Sequence, residues 1–297
     1  MQRSTSPTDH APLGISIVIP VGGVDDHLHE QFRAVRAQRT ARPIDLVVAA
    51  NRDVAAVRRA VAAHPWPADW SVRTLDASAV RGPAHARNVG WRHADHEIVL
   101  FCDGDDLVDA VWAEQMAVAV EAAGTCGGRL EYERLNPPAL AARKSSSTDA
   151  LPVKFRHLPF SPTCALGVRR ELLAVADGFD EDLACGEDID LCWRLAGLGV
   201  RMVFVPGAIV HYRLRMDARG AFGQALRYAA DDAGLLRRRR PLGARWGIRD
   251  TLRQWAATVL AVARTPTGAE ARIVAAQRLG GVLGRVWGTV RYRTYAL

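Results

Sequence analysis

Three aspartates fall within four residues at Asp103-Gly104-Asp105-Asp106, directly after the run Glu97-Ile98-Val99-Leu100-Phe101-Cys102. A short, mostly apolar run closed by a turn signal reads as a buried strand. Carboxylates crowded at the end of a strand repel one another and resist desolvation. Mg2+ or Mn2+ relieves both costs, because these cations prefer hard oxygen ligands and share them with phosphates. A solvated Asp-Gly turn is the commoner reading of such a tetrapeptide taken alone. The rest of the chain decides between the two readings.

The elements that must position these carboxylates alternate along the first hundred residues. Ile15 to Pro20 is a buried strand closed by proline and Gly22-Gly23, and His27 to Gln38 carries a helical face of Leu28, Phe32 and Val35. Ile44 to Ala50 is a second strand, Val54 to Ala63 a helix, and Ser71 to Leu75 a third strand. Gly82-Pro83 opens a helix from Ala84 to His93, and Ile98 to Cys102 is the fourth strand. Strands alternating with helices imply βαβ units and a largely parallel sheet, whose ligands bind outside the carboxyl ends of the strands. Asp103 to Asp106 stands at one such end. Beyond it, Ala110 to Ala123 is a helix, Leu135 to Leu151 a mobile loop, Thr163 to Val168 a strand and Arg169 to Val175 a helix. Asp188 to Leu198 is a further helix, and Val200 to Val205 and Ile209 to Tyr212 close the core as strands.

Composition narrows the class. With 297 residues, 49% of them hydrophobic, the chain can bury a large core, so wholesale disorder is excluded. The net charge of +7 is unevenly spread, with carboxylates concentrated between about residues 95 and 190 and arginines dominating after Tyr212. The five cysteines show no CxxC or zinc-like spacing and read as reduced, buried apolar residues of a cytoplasmic protein. Residues 1–12 lack the apolar centre of a signal peptide and read as a flexible leader. No apolar stretch reaches membrane-spanning length; Trp255 to Ala263 is the longest candidate and is too short.

Four features now stand in order: Ile17-Val18-Ile19-Pro20, Gly82-Pro83-Ala84-His85-Ala86-Arg87-Asn88-Val89-Gly90, Asp103-Gly104-Asp105-Asp106 and Gly186-Glu187-Asp188-Ile189-Asp190-Leu191-Cys192-Trp193-Arg194. Together they resemble family 2 glycosyltransferases across residues 14–215. The resemblance implies the GT-A fold: an α/β, Rossmann-like, mostly parallel central sheet flanked by helices. It places a catalytic domain at 13–215 and leaves 216–297 as a helical, basic C-terminal region. It also implies a metal-dependent inverting enzyme of hexosyltransferase type, moving a sugar from a nucleotide-diphosphate donor to an acceptor hydroxyl.

By that resemblance Asp103 and Asp105 hold Mn2+ or Mg2+ against the donor diphosphate, Asp105 foremost, and His211 completes the metal set. Asp188 is the general base and Glu187 orients it or binds acceptor hydroxyls. Pro20, Val21, Asn51, Asp53, Arg87, Asp103 and Gly104 are the expected donor contacts. Each assignment has a structural competitor. Asp106 suits an N-cap, Glu187-Asp188 suits the first turn of a helix, His211 suits a structural role, and Arg87 suits an ion pair within the site.

Two elements depart from the family pattern. The second strand ends Ala49-Ala50-Asn51-Arg52-Asp53 without the usual acidic pair, and Pro20-Val21-Gly22-Gly23 lacks the usual aromatic and asparagine. Base recognition is therefore expected from backbone near Pro20 to Gly22 with Asn51 or Asp53. A catalytically impaired nucleotide-sugar-binding relative fits the altered second strand. A nucleotidyltransferase fits less well, because no Gly-rich, lysine-bearing phosphate loop follows the first strand. The acceptor, whether glycan, lipid-linked or small molecule, is expected against the 135–151 loop and the tail. In that tail Arg237-Arg238-Arg239-Arg240 and later arginines alternate with Trp246, Trp255, Trp287 and Tyr292. This pattern suits either a helical cover over the domain or peripheral contact with the anionic inner face of a membrane. No nucleic-acid motif accompanies the arginines, and nucleic acid is not an expected partner.

Overall fold

A computed structural model describes residues 12–144, 149–265 and 268–294. Its centre is an eight-stranded sheet in the order β3-β2-β1-β4-β7-β6-β8-β5. The first four elements of that order are β3 (Ser71–Asp76), β2 (Ile44–Ala50), β1 (Ile15–Val21) and β4 (Ile98–Phe101), all parallel. Strands β1 and β2 are hydrophobic almost throughout because both faces of the sheet are covered. Alternate side chains go to opposite layers. Ile15, Ile17 and Ile19 meet α1 (Asp26–Arg36) and α4 (Trp112–Ala123) through Phe32, Trp112 and Met116. Val18 faces the other layer, with Trp91 of α3 (Pro83–Arg92) and Leu191 of α7 (Glu187–Gly197). Helix α2 (Val54–Ala62) connects β2 to β3.

The second half of the sheet is mixed. Strand β7 (Leu166–Arg169) runs antiparallel to β4 and to β6 (Thr125–Glu131), β8 (Val203–His211) is parallel to β6, and β5 (Leu107–Val108) is antiparallel to β8. The strand β6 was not expected, because Gly127-Gly128 weakens strand propensity. Packing requires those glycines: a Cβ on Gly128 would meet the Ala208 carbonyl at 2.6 Å, and one on Gly127 would meet Ser161 at 2.7 Å. Thr163–Ala165, expected as strand, is a 3-10 turn leading into β7. The 135–151 segment, expected as a loop, contains the helix α5 (Pro138–Ala141), whose Leu140 and Ala141 are buried. Helix α6 (Arg170–Val175) follows β7.

Three helices complete the chain: α8 (Ala218–Arg239), α9 (Ile248–Ala263) and α10 (Ala269–Arg291). Gly280, Gly284 and Gly288 let α10 lie against α8, since a Cβ at any of them would strike the backbone of Phe222, Leu226 or Ala230. Three arginines at the end of α8 are tied to neighbouring elements. Arg239 pairs with Asp190 of α7, Arg238 reaches Asp180 at 2.6 Å, and Arg237 donates to the Tyr292 carbonyl at 2.8 Å. Cys102, Cys126, Cys164 and Cys192 are buried and Cys185 is half-buried, all as free thiols. Among the described residues no helix is long and apolar enough to cross a membrane. The leader expected at 1–12 falls, apart from Pro12, outside the described residues.

Candidate active site

The carboxyl ends of β1, β2 and β4 open into a cavity of about 1000 Å3. Pro20 and Val21 line it from β1, Asn51 from the end of β2, and Asp103, Gly104 and Asp105 from the turn after β4. The opposing wall is the start of α7, where Gly186 takes a left-handed φ of 82° and turns Glu187 and Asp188 into the first helical turn. A residue with a Cβ is strained in that conformation. Arg87 of α3 joins the two walls. It is 5% exposed, and its Nη1 donates to Glu187 Oε1 at 2.6 Å while its Nη2 donates to Asp103 Oδ1 at 2.8 Å. Burial works against the Arg87 charge, but Asp103 and Glu187 more than offset it and hold the guanidinium firmly protonated.

The carboxylate turn is braced from outside the cavity. Gln31 donates to the Asp103 carbonyl at 2.9 Å and accepts from the Val108 N–H at 3.1 Å. Arg213 donates through Nε to the Asp105 carbonyl at 2.9 Å, and its N–H donates to Asp106 Oδ1 at 2.8 Å. So held, Asp105 reaches the cavity, 3.7 Å from the Arg215 guanidinium. Asp106 does not cap a helix. It is 1% exposed, and its Oδ2 has no hydrogen-bond partner. Asp103, Asp106 and Cys164 present ligand atoms that all lie within 4.8 Å of one another. Burial, then like charge from Asp103, pushes the Asp105 and Asp106 carboxyls above the ordinary carboxylate range. Clustered carboxylate oxygens with one buried oxygen left unpartnered fit a hard divalent cation.

Glu187 and Asp188 differ in their partners. Glu187 is 7% exposed and committed to Arg87. Asp188 is half-buried, lines the cavity, and accepts from the Ile189 N–H at 2.8 Å. Burial raises both carboxyls, and Arg87 only partly offsets it.

Residues 11–230 match the family described as glycosyltransferase like family 2. The chain belongs to glycosyltransferase family 2. The pre-mycofactocin glycosyltransferases of two Mycobacterium tuberculosis strains, CDC 1551 / Oshkosh and H37Rv, are each 31% identical over 167 residues. That match covers 52% of this chain and 35% of theirs, so the chain spans about a third of the length of these curated relatives. A mannosyltransferase of Pyrobaculum calidifontis, solved with GDP-Man and Mn2+, superposes with a TM-score of 0.61 at 19% identity. The superposition covers 95% of this chain and 90% of that one. Residues 1–349 of Staphylococcus aureus TarS with UDP give 0.50 at 15% identity, covering 96% and 93%. The fold is therefore GT-A.

Three expected site residues of this family 2 chain are engaged elsewhere. Asp53 does not line the cavity; its side chain caps α2 by accepting from the Ala56 N–H at 3.0 Å. His211 does not line it either. Its Nδ1 pairs with Glu131 and its Nε2 lies 3.1 Å from Arg134, so the imidazole is taken up by β6 and the turn after it. Asn51 does line the cavity, yet its amide is spent on backbone. Its Nδ2 donates to the carbonyls of Ala77 at 2.6 Å and Val80 at 2.8 Å, and its Oδ1 accepts from the Gly82 N–H at 2.8 Å. It thereby fixes the loop that carries α3 and Arg87. Asn51→Ala leaves that set unsatisfied and is expected to cost about 1–3 kcal/mol of folding stability. Chemical denaturation checks this; an unchanged midpoint would remove Asn51 from that role.

Several cavity residues carried no motif. Lys154, Thr163, Tyr212, Gln224 and Tyr228 line the cavity from elements far apart in the chain. One signal was available: Lys144 and Lys154 are the only lysines in the sequence, and both line it.

Proposed function

We propose that this glycosyltransferase moves a sugar from a nucleoside-diphosphate donor to an acceptor hydroxyl with inversion at the anomeric carbon, with a divalent cation bound. The observation that carries the reading is Asp188, a carboxylate lining the cavity that accepts from the backbone N–H of Ile189, beside a Glu187 already committed to Arg87. Donors of the proposed class accompany two structural neighbours, GDP-Man in the Pyrobaculum mannosyltransferase and UDP, the nucleotide part of one, in TarS. Asp103, Asp105 and Asp106 would hold Mn2+ or Mg2+, and the bound cation would supply Lewis-acid neutralisation of the donor diphosphate.

The chain's own residues account for the remaining steps. Asp188 takes the proton of the acceptor hydroxyl as its oxygen bonds to the anomeric carbon. The bond between that carbon and the diphosphate oxygen breaks, and its electron pair leaves with the nucleoside diphosphate. One displacement on one face inverts the configuration, and a single base suffices. Arg87 lowers the Glu187 carboxyl from where burial alone would put it and holds it beside the base. Arg215 and Lys154 line the cavity as further cations for a polyanionic donor. The exposed arginines of α9 and α10 support peripheral contact with an anionic membrane surface.

Thermal shift with a panel of nucleotide-sugars, with and without Mn2+ or Mg2+, tests the donor assignment. A metal-dependent rise in melting temperature with one donor class is expected, and its complete loss in Asp105→Ala. A donor shift that survives both chelation and that substitution would overturn the metal reading.

A further inference from the structure

Away from the carboxylates, α5, α9 and α10 enclose a second cavity of about 570 Å3. Its floor is apolar: Leu140, Ala261 and Val274 are buried there and pack as one cluster. Its lining carries three guanidiniums, those of Arg143, Arg264 and Arg278, against the single carboxylate of Glu270. The cations act on one another. Burial, then Arg278 and Arg264, holds Arg143 below the ordinary arginine range, and Lys144 is lowered by burial and then by Arg278 and Arg143. Like charges gathered around one cavity are relieved by an anion that enters it.

The apolar floor continues to the surface. Leu260 lines the cavity and is also 53% exposed. Leu252, Trp255 and Val259 are exposed on the same helix at three- and four-residue spacing, and Arg249 and Arg253 are exposed beside them. Arg264 and Arg272 are exposed as well, and the only carboxylates within α9 and α10 are Asp250 and Glu270. A second copy of this chain fits the face poorly, because a two-fold contact would set these arginines against their own like charge. An anionic amphiphile matches both the charge and the apolar floor.

We propose that the cavity between α5, α9 and α10 binds an anionic lipid, with its phosphate head group on Arg143, Arg264 and Arg278 and its chain over Leu140, Val274 and Leu260. The inference rests on the peripheral membrane contact proposed above and gives it a site. That site shares a wall with the catalytic cavity, for Lys144 and Gln277 line the catalytic side while their chain neighbours Arg143 and Arg278 line this one.

Vesicle flotation of the full chain tests it. The protein is expected to float with an equimolar mixture of phosphatidylcholine and phosphatidylglycerol and to stay unbound with phosphatidylcholine alone. The double variant Arg143→Ala/Arg278→Ala is expected to partition about 30-fold more weakly, with its donor-dependent thermal shift intact. A double variant that floats like the wild type overturns the site and leaves membrane contact standing. A wild type that fails to float overturns both. Inorganic phosphate at matched ionic strength separates the two sources of the head-group chemistry. Displacement from vesicles no greater than that by chloride supports the lipid, whereas full displacement by inorganic phosphate makes this a free-phosphate site.

Discussion

Asp188→Asn is expected to lower kcat by about 10²–10⁴-fold, the range removed with a general base, while donor affinity stays unchanged. The amide keeps the side chain's shape and can still accept from the Ile189 N–H, so the start of α7 is preserved. The pH profile gives a second readout. A base must be deprotonated to act, and burial raises the Asp188 carboxyl despite Arg87. Activity of the wild type should therefore fall as pH drops through a value above the ordinary carboxylate range. Because Glu187 is adjacent and also raised, that limb belongs to the pair. In Asp188→Asn the residual rate should lose this limb. Wild-type kcat in the variant would remove Asp188 from the base role.

Arg87→Ala should have the largest effect on stability, about 3–5 kcal/mol, because it leaves a buried charge uncompensated. Glu187 would lose its guanidinium partner at 9% side-chain exposure, and Asp103 would lose the cation that ties it to the opposite wall. The sign with pH follows. Arg87 holds the Glu187 carboxyl lower than burial alone would, so without it the carboxyl takes up its proton at higher pH. The loss should be greatest at neutral and alkaline pH and shrink as the solution is made acidic and Glu187 becomes neutral. Arg87→Lys keeps the charge but cannot bridge two carboxylates in a planar fork, so an intermediate loss is expected. Denaturant unfolding across pH measures this, and an Arg87→Ala midpoint equal to the wild type's at neutral pH would show that the bridge contributes nothing.

How much of this was legible in the chain can be judged residue by residue. The buried strands β1, β2 and β4 announce themselves as apolar runs closed by Pro20, Asn51 and Asp103, because a parallel strand covered on both faces has little use for polar side chains. Strand β6 stayed hidden, since Gly127 and Gly128 answer to Ser161 and Ala208, 34 and 80 residues further along the chain. The helix inside 135–151 was masked by its prolines, although Pro138 at the first helical position is compatible with a helix start.

What the sequence by itself determined is the family, the sheet that carries it, and the two carboxylate groups at Asp103–Asp106 and Glu187–Asp188. These depend on local patterns, namely strand runs, turn residues and helix starts. The tertiary structure alone decided who partners whom. Asn51, Asp53 and His211 have the right chemistry for a donor or a metal, yet a loop, a helix end and Glu131 claim them first. Arg87 lies 16 residues from Asp103 and 100 from Glu187, and only the packing of α3 on β1 and β2 brings it within reach of both. The second cavity depends in the same way on three helices brought together. The physical reason is general. A polar side chain must find a partner once buried, and spacing along the chain states what it can bond but not which group arrives within reach.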